Sequence, residues 1–245
     1  MRILALGLAA SLVAVAAPAL AQDAPASDFT VSGGATLVTD YRFRGISQTF
    51  KQFAVQGTFT VSHSSGLYAT VWGSSIDDYI AAGSDQEIDI IAGYKHSFGG
   101  ATVDVGVLYY YYPGSGGINS DFFEPYASVS GAFGPVTAKL SAAYAPKQKA
   151  LTVDGITKED NLYVAGDLSA SVPNTPIGLT AHVGHSFGPS YLTIGDEYTD
   201  WSVGATYTWK NMTFGVSYVD TDKDAFVGTR NVTKAGVVGS VGVSF

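Results

Sequence analysis

About twelve stretches of this chain alternate apolar with small polar residues, and the connections between them are in turn long and short. A period of two marks a β-strand, because successive side chains point to opposite faces. The alternation predicts strands at 29–43, 53–62, 67–75, 86–97, 101–112, 122–132, 136–145, 161–171, 177–187, 200–209, 212–221 and 234–245. Connections after the odd-numbered stretches are long and polar: 44–52, 76–85, 113–121, 146–160, 188–199 and 222–233. Those after the even-numbered stretches are short: HSSG at 63–66, FGGA near 98–101, FGP at 133–135, PNTP at 173–176 and KN at 210–211. A soluble sandwich has no reason to keep that rhythm. A barrel with both termini at one end requires it, with short turns at that end and long loops at the other. The expected fold class is therefore all-β: a transmembrane antiparallel up-and-down β-barrel of twelve strands, the even number lying between about 10 and 14.

The closing segment VGSVGVSF carries the pattern most plainly. Val237, Gly239, Val241, Val243 and Phe245 share one face, and Val238, Ser240, Gly242 and Ser244 share the other. One face suits lipid and the other water, and the aromatic Phe245 reads as an outer-membrane assembly signal. Elsewhere Phe53, Val55, Phe59 and Val61 share a face, as do Val103, Val105, Val107, Tyr109 and Tyr111. Running the strands up and down in turn sorts the outward aromatics into two bands. Tyr41, Phe43, Phe53, Tyr109, Tyr111, Tyr144, Phe187, Trp201 and Tyr218 fall near the long-loop rim. Phe29, Phe59, Phe98, Phe133, Trp209, Phe214 and Phe245 fall near the short-turn rim. Such girdles suit the two membrane interfaces. Hydrocarbon leaves no solvent for an open sheet edge, so the last strand is expected to pair with the first, and neither contains proline.

The N-terminus reads as an export signal. Arg2 supplies a positive n-region, Ile3 to Ala17 an apolar h-region, and Ala19-Leu20-Ala21 a cleavage site. The expected organisation is a cleaved signal peptide at 1–21, a short periplasmic segment at 22–28, and one barrel domain at 29–245 in the outer membrane of a Gram-negative bacterium. Expected partners are outer-membrane lipid and lipopolysaccharide, the barrel-assembly machinery, and small hydrophilic solutes; the oligomeric state stays open. The absence of cysteine excludes disulfides, thiolate metal sites and cysteine nucleophiles. The net charge of −8 argues against a nucleic-acid partner.

Several segments resemble one family. The sharpest is YRFRGISQT at 41–49, followed by AVQG at 54–57, SGLYATVWGSSID at 65–77, EIDIIAGYKHSFG at 87–99, VDVGVLYYYYPG at 103–114 and FEPY at 123–126. These are similar to the proteobacterial porins of the TorF family, most strongly over residues 28–130. The resemblance implies an outer-membrane barrel with a pore function and names no solute or ligand residue.

In a barrel, inward side chains tune passage. The alternation points Asp40, Arg42 and Arg44 inward near the long-loop mouth and brings Lys234 beside them on closure. Glu87, Asp89 and Glu124 point inward at the same level. The expectation is a basic wall (Arg42, Arg44, Lys234) facing an acidic wall (Glu87, Asp89, Glu124), with a transverse field acting on solutes. The alternative is that these charges pair with one another, or with a folded-in loop, and fill the lumen. Loop acids at Asp77-Asp78, Asp196-Glu197 and Asp220 to Asp224 lack the ligand spacing of a calcium loop and read as a solvated surface. His182 and His185, three apart, face opposite sides of a strand, which defeats a shared metal site. No GxSxG or HExxH motif occurs. No enzyme, metal or cofactor is expected. The expected role is passive diffusion of small hydrophilic solutes, selected by size and by inward charge. The alternatives are a non-conducting structural or adhesion barrel and a soluble periplasmic ligand-binding barrel.

Overall fold

The computed structural model describes residues 27–245. The leader expected at 1–21 lies outside the described residues, as does most of the segment expected at 22–28. In chain order the strands are β1 (Phe29–Val38), β2 (Arg42–Phe43), β3 (Ile46–Ser47), β4 (Ala54–His63), β5 (Leu67–Ser75), β6 (Gln86–Phe98), β7 (Ala101–Tyr111) and β8 (Phe122–Phe133). They continue as β9 (Val136–Gln148), β10 (Glu159–Ser171), β11 (Ile177–Phe187), β12 (Tyr198–Trp209), β13 (Met212–Thr221), β14 (Phe226–Val227), β15 (Arg230–Asn231) and β16 (Gly236–Ser244). Twelve of them close one antiparallel barrel, in the cyclic order β1-β16-β13-β12-β11-β10-β9-β8-β7-β6-β5-β4. The two-residue pairs β2/β3 and β14/β15 are small ladders within the first and last long loops.

Closure is the step an open sheet cannot take. β1 pairs over its whole length with β4, from Phe29↔His63 to Val38↔Ala54. On its other side it meets β16 from Gly34↔Ser244 to Val38↔Ser240. Phe245 completes the seam by exchanging backbone hydrogen bonds with Gly33, at 3.0 and 2.9 Å. A side chain at Gly33 would collide with the Phe245 ring, since a Cβ there would lie 2.7 Å from Cζ. From Gly33 to Thr39 the seam is thus closed by backbone pairing, as a lipid-facing sheet demands.

The short connections take the backbone forms their residues favour. Gly99 and Gly100 carry φ of 54° and 86°, the left-handed pair that a two-residue hairpin needs to match strand twist. Pro125 sits inside β8, where it cannot donate to a ladder. The β8–β9 pairing starts only at Tyr126↔Ala143. Beside it the Gln148 side chain substitutes for the missing rungs: its Nε2 amide donates to the Phe123 carbonyl and its Oε1 accepts from the Phe123 amide, both at 2.9 Å.

The two faces divide by chemistry. Outward residues form an apolar belt that includes Val55 at 65% exposed, Val216 at 52% and Val203 at 56%. Phe53, Tyr109, Tyr111, Tyr144, Phe187 and Tyr218 are exposed toward the long-loop rim, and Trp201 is half-buried on the same outward face. Phe29, Phe59, Phe98, Phe133, Trp209, Phe214 and Phe245 are exposed toward the short-turn rim. The packed core lies inside the barrel, in its long-loop half, around Tyr41, Trp72, Leu108, Tyr110, Phe122 and Leu151. Among the described residues no helix is long and apolar enough to cross a membrane, a fact that does not bear on strands.

One boundary departs from the alternation. The first strand, expected to reach residue 43, ends at Val38. The chain then turns into the barrel, forms the β2/β3 ladder, and passes through left-handed positions at Arg44, Phe50 and Lys51 (φ of 48°, 48° and 63°) before β4 begins. Tyr41 and Phe43 are therefore not part of an outward girdle. Tyr41 is 3% exposed, its hydroxyl donates to Glu87 at 2.7 Å, and its ring packs on Trp72. Phe43 is half-buried and meets Tyr110 edge-on. The reason is partnership: the interior offers acceptors and rings to this segment, whereas the lipid face offers neither.

Candidate functional site: the lumen and its first-loop plug

The first long loop, residues 39–53, folds into the long-loop half of the lumen. Ile46, Ser47, Gln48 and Thr49 are all buried there. Two turns of charge hold it. Asp40 pairs with Arg42 at 2.6 Å and accepts from the Ser47 hydroxyl at 2.6 Å. Arg42 also donates to the carbonyls of Gly45 and Lys234, at 2.8 and 3.1 Å.

Arg44 reaches across to the far wall. Its guanidinium donates to both oxygens of Glu124 on β8, each at 2.7 Å, and to Asn161 on β10 at 2.9 Å. It lies 4.2 Å from the Tyr163 ring centroid and 4.8 Å from that of Phe43. The Tyr198 hydroxyl on β12 donates to the Arg44 carbonyl at 2.9 Å. The side chains of Arg44 and Glu124 are 7% and 3% exposed, so this is a buried, charge-assisted pair.

The expected pair of separated walls is thus corrected. Asp40, Arg42 and Arg44 stand on the inserted loop rather than on a stave, and Arg44 touches the carboxylate it was expected to oppose across open space. Lys234 lies before β16 and is exposed; only its carbonyl joins the network. Glu87, Asp89 and Glu124 do share one level of the interior, each 2% exposed. Three carboxylates there meet one guanidinium, and Asp89 Oδ1 is buried with no hydrogen-bond partner. Opposite charges converge because a carboxylate in a low-dielectric interior is costly unless paired.

The short-turn half differs. An arc of staves from β6 to β12 carries charges of alternating sign. Lys95 pairs with Asp104 at 3.4 Å and Lys139 with Asp167 at 3.8 Å. His182 is held between Asp167 at 2.7 Å and Asp200 at 3.1 Å, and Tyr163 donates to Asp200 at 2.9 Å, which links this arc to the plugged half above it. The complementary arc, β13, β16, β1 and β4, presents Ser, Thr and Gly; Thr58, Thr60, Ser217 and Ser240 are half-exposed although they point inward. An inward tyrosine lies flat on a glycine of the next stave here: a Cβ at Gly93 would meet the Tyr68 ring. The partial exposure of these inward residues leaves this half of the lumen accessible to solvent.

Sequence reasoning passed over Lys95, Asp104, Lys139, Asp167 and Asn161 as site residues. All of them follow the same inward parity, so the alternation that marked Glu87 and Asp89 also marks them. His182 and His185 face opposite sides, the latter bonded to Thr199 at 3.0 Å. Among the described residues no group of three or more His, Cys, Asp or Glu is arranged to hold a metal.

A family profile described as "Bacterial protein of unknown function (Gcw_chp)" matches residues 22–245. This chain belongs to that family. The match does not carry the TorF name, and its description says nothing of a barrel or a pore. No functionally curated protein is similar in sequence. Among solved structures the NanC porin is similar at 13% identity and a TM-score of 0.60, covering 88% of this chain and 99% of that one. An outer membrane channel from Pseudomonas putida is similar at 12% identity and a TM-score of 0.50, covering 90% of this chain and 96% of that one. At such identities the likeness is one of fold: this is a porin-like, closed twelve-stranded barrel.

Proposed function

We propose that this protein is an outer-membrane channel that passes small hydrophilic solutes or ions by diffusion, with the inserted first loop as its constriction. The observation that carries the reading is the pairing of an apolar, aromatic-banded exterior with a polar, solvent-accessible inner lumen. Porins and channels among the similar folds support it. Selection then falls to the plug. Size is limited by the Tyr41–Thr49 segment, and charge by the carboxylate level of Glu87, Asp89 and Glu124, which Arg44 only partly neutralises. This level favours cations over anions. Export through the leader, insertion by the assembly machinery through Phe245, and a Gram-negative outer membrane belong to the same reading.

One observation favours a second reading. The first and last loops fill the long-loop half: Ile46, Tyr198, Ala225 and Val232 form their own buried cluster there. A barrel so capped can be non-conducting and act through structure or adhesion. Single-channel conductance of detergent-purified protein in a planar bilayer, with boiled protein as control, decides between them. Steady steps lost on boiling, with a cation-selective reversal potential, support the channel. No steps from folded, heat-modifiable protein refute it and favour the capped barrel. Replacing Glu87 and Asp89 by Gln and Asn should move the reversal potential toward zero; an unchanged potential refutes the role given to that level.

A further inference from the structure

At the long-loop rim, the first and last loops line a half-open cavity of about 350 Å³ beside the β1/β16 seam. Its lining includes Phe50, Lys51, Phe226, Arg230 and Lys234. Three cations thus face one concavity in a chain whose net charge is −8. None of the three enters an ion pair among the described residues. Of the nearby acids, Asp40 is paired with Arg42, and Asp224 accepts from the neutral Asn231 side chain.

The cavity is built, not a chance gathering of mobile lysines. Phe50 packs on Tyr79 with ring centroids 4.1 Å apart, and the Arg230 guanidinium lies 4.9 Å over the Phe50 ring. The left-handed backbone at Phe50 and Lys51 is held by a hydrogen bond from the Lys51 amide to the Ser47 hydroxyl at 2.9 Å. Asn231 Oδ1 accepts from the amides of Thr233 and Lys234, at 3.0 and 2.9 Å, which fixes the turn that presents Lys234. Partial burial, with the charges of Arg42 and Lys234 nearby and Asp40 opposing them, holds the Lys51 ammonium below the ordinary lysine range. Three cations on one concavity, none of them ion-paired, outnumber the acids beside them and suit an anion.

We propose that this rim cavity binds a phosphate-bearing group. Arg230 supplies a planar fork suited to two phosphate oxygens, and Lys51 and Lys234 supply point charges. The volume stands near the lower end of the roughly 300–1,000 Å³ typical of ligand pockets, enough for a headgroup. Phe50 and the 62%-exposed Phe226 add an apolar wall for whatever carries the phosphate. That carrier is either a lipid headgroup or a free phosphate compound. The inference is independent of whether the barrel conducts.

The test uses the full chain in detergent and two probes. One is inorganic pyrophosphate, titrated calorimetrically. The other is phosphatidylcholine vesicles carrying lipopolysaccharide, native or enzymatically dephosphorylated. The variant combines Lys51→Gln, Arg230→Gln and Lys234→Gln; Arg230→Gln alone serves if the triple variant loses heat-modifiability. A charge-matched control combines Lys147→Gln, Lys149→Gln and Lys158→Gln. Affinity should fall at least about tenfold in the cavity variant and stay unchanged in the control, as expected for lost charge-assisted contacts. Saturable pyrophosphate binding lost in the variant supports the site with a free ligand. Binding of native but not dephosphorylated lipopolysaccharide, lost in the variant, supports it with a lipid headgroup. Binding of neither probe, or equal losses in variant and control, overturns the proposal.

Discussion

Replacing Arg44 with Gln tests the idea that the Arg44–Glu124 pair anchors the first loop inside the barrel. In the structure Arg44 makes two 2.7 Å contacts to Glu124 and a 2.9 Å contact to Asn161, with both ionic side chains less than a tenth exposed. Removing one partner of a buried pair costs about 3–5 kcal/mol, because the other charge stays buried and alone. At about 1.4 kcal/mol per factor of ten, the docked-to-released equilibrium of the loop shifts roughly a hundred- to several-thousand-fold. The double variant Arg44→Gln/Glu124→Gln removes both charges and should recover much of the loss, giving a coupling of about 2–3 kcal/mol. Two readouts follow the loop. Trypsin should cut after Arg42 in the folded single variant but not in the wild type, and single-channel conductance should rise. A single variant as protease-resistant as the wild type, with a coupling near zero, would refute the claim that this pair anchors the plug.

Other consequences are as direct. Val216→Arg places a charge on the outward mid-belt of β13 and should destabilise the barrel by about 2–4 kcal/mol in a bilayer, whereas Ser217→Arg, pointing into the lumen, should cost far less; equal effects in lipid-vesicle unfolding would contradict the assigned faces. Gly33→Val drives a side chain into the Phe245 ring and should cost about 1–3 kcal/mol, seen as a lower temperature for loss of the heat-modifiable gel band; an unshifted band would show that the seam tolerates the clash. In the loop after β9, hydrogen bonds from the Ile156 amide, and from the amide and hydroxyl of Thr157, hold the Asp154 carboxyl well below the usual carboxylate range. A depressed folded pKa stabilises above the unfolded value and is lost only as pH falls through the folded one. The Ile156 and Thr157 amides should therefore keep their exchange protection at about pH 3, below the ordinary aspartate value of ~3.9; loss of protection there would contradict the assignment.

The sequence carried the staves well, and the reason is local. A strand half in lipid and half in water must alternate, so 67–75, 177–187 and 212–221 are legible to the residue, and Glu87, Asp89 and Glu124 are legible as inward. The rhythm of connections carried the up-and-down closure for the same reason, since each hairpin is adjacent in the chain. The first loop was not legible. Tyr41, Arg42, Phe43 and Arg44 continue a period of two past Val38, and nothing within a few residues distinguishes a strand climbing out of the barrel from a loop turning into it. That choice belongs to partners far along the chain: Glu87, 46 residues on from Tyr41, and Glu124, 80 residues on from Arg44. Alternation fixes which face a residue prefers, because that is a property of the strand itself. Whether opposite charges confront each other across water or close on one another is decided by desolvation, and only the closed barrel brings those groups near enough for desolvation to act.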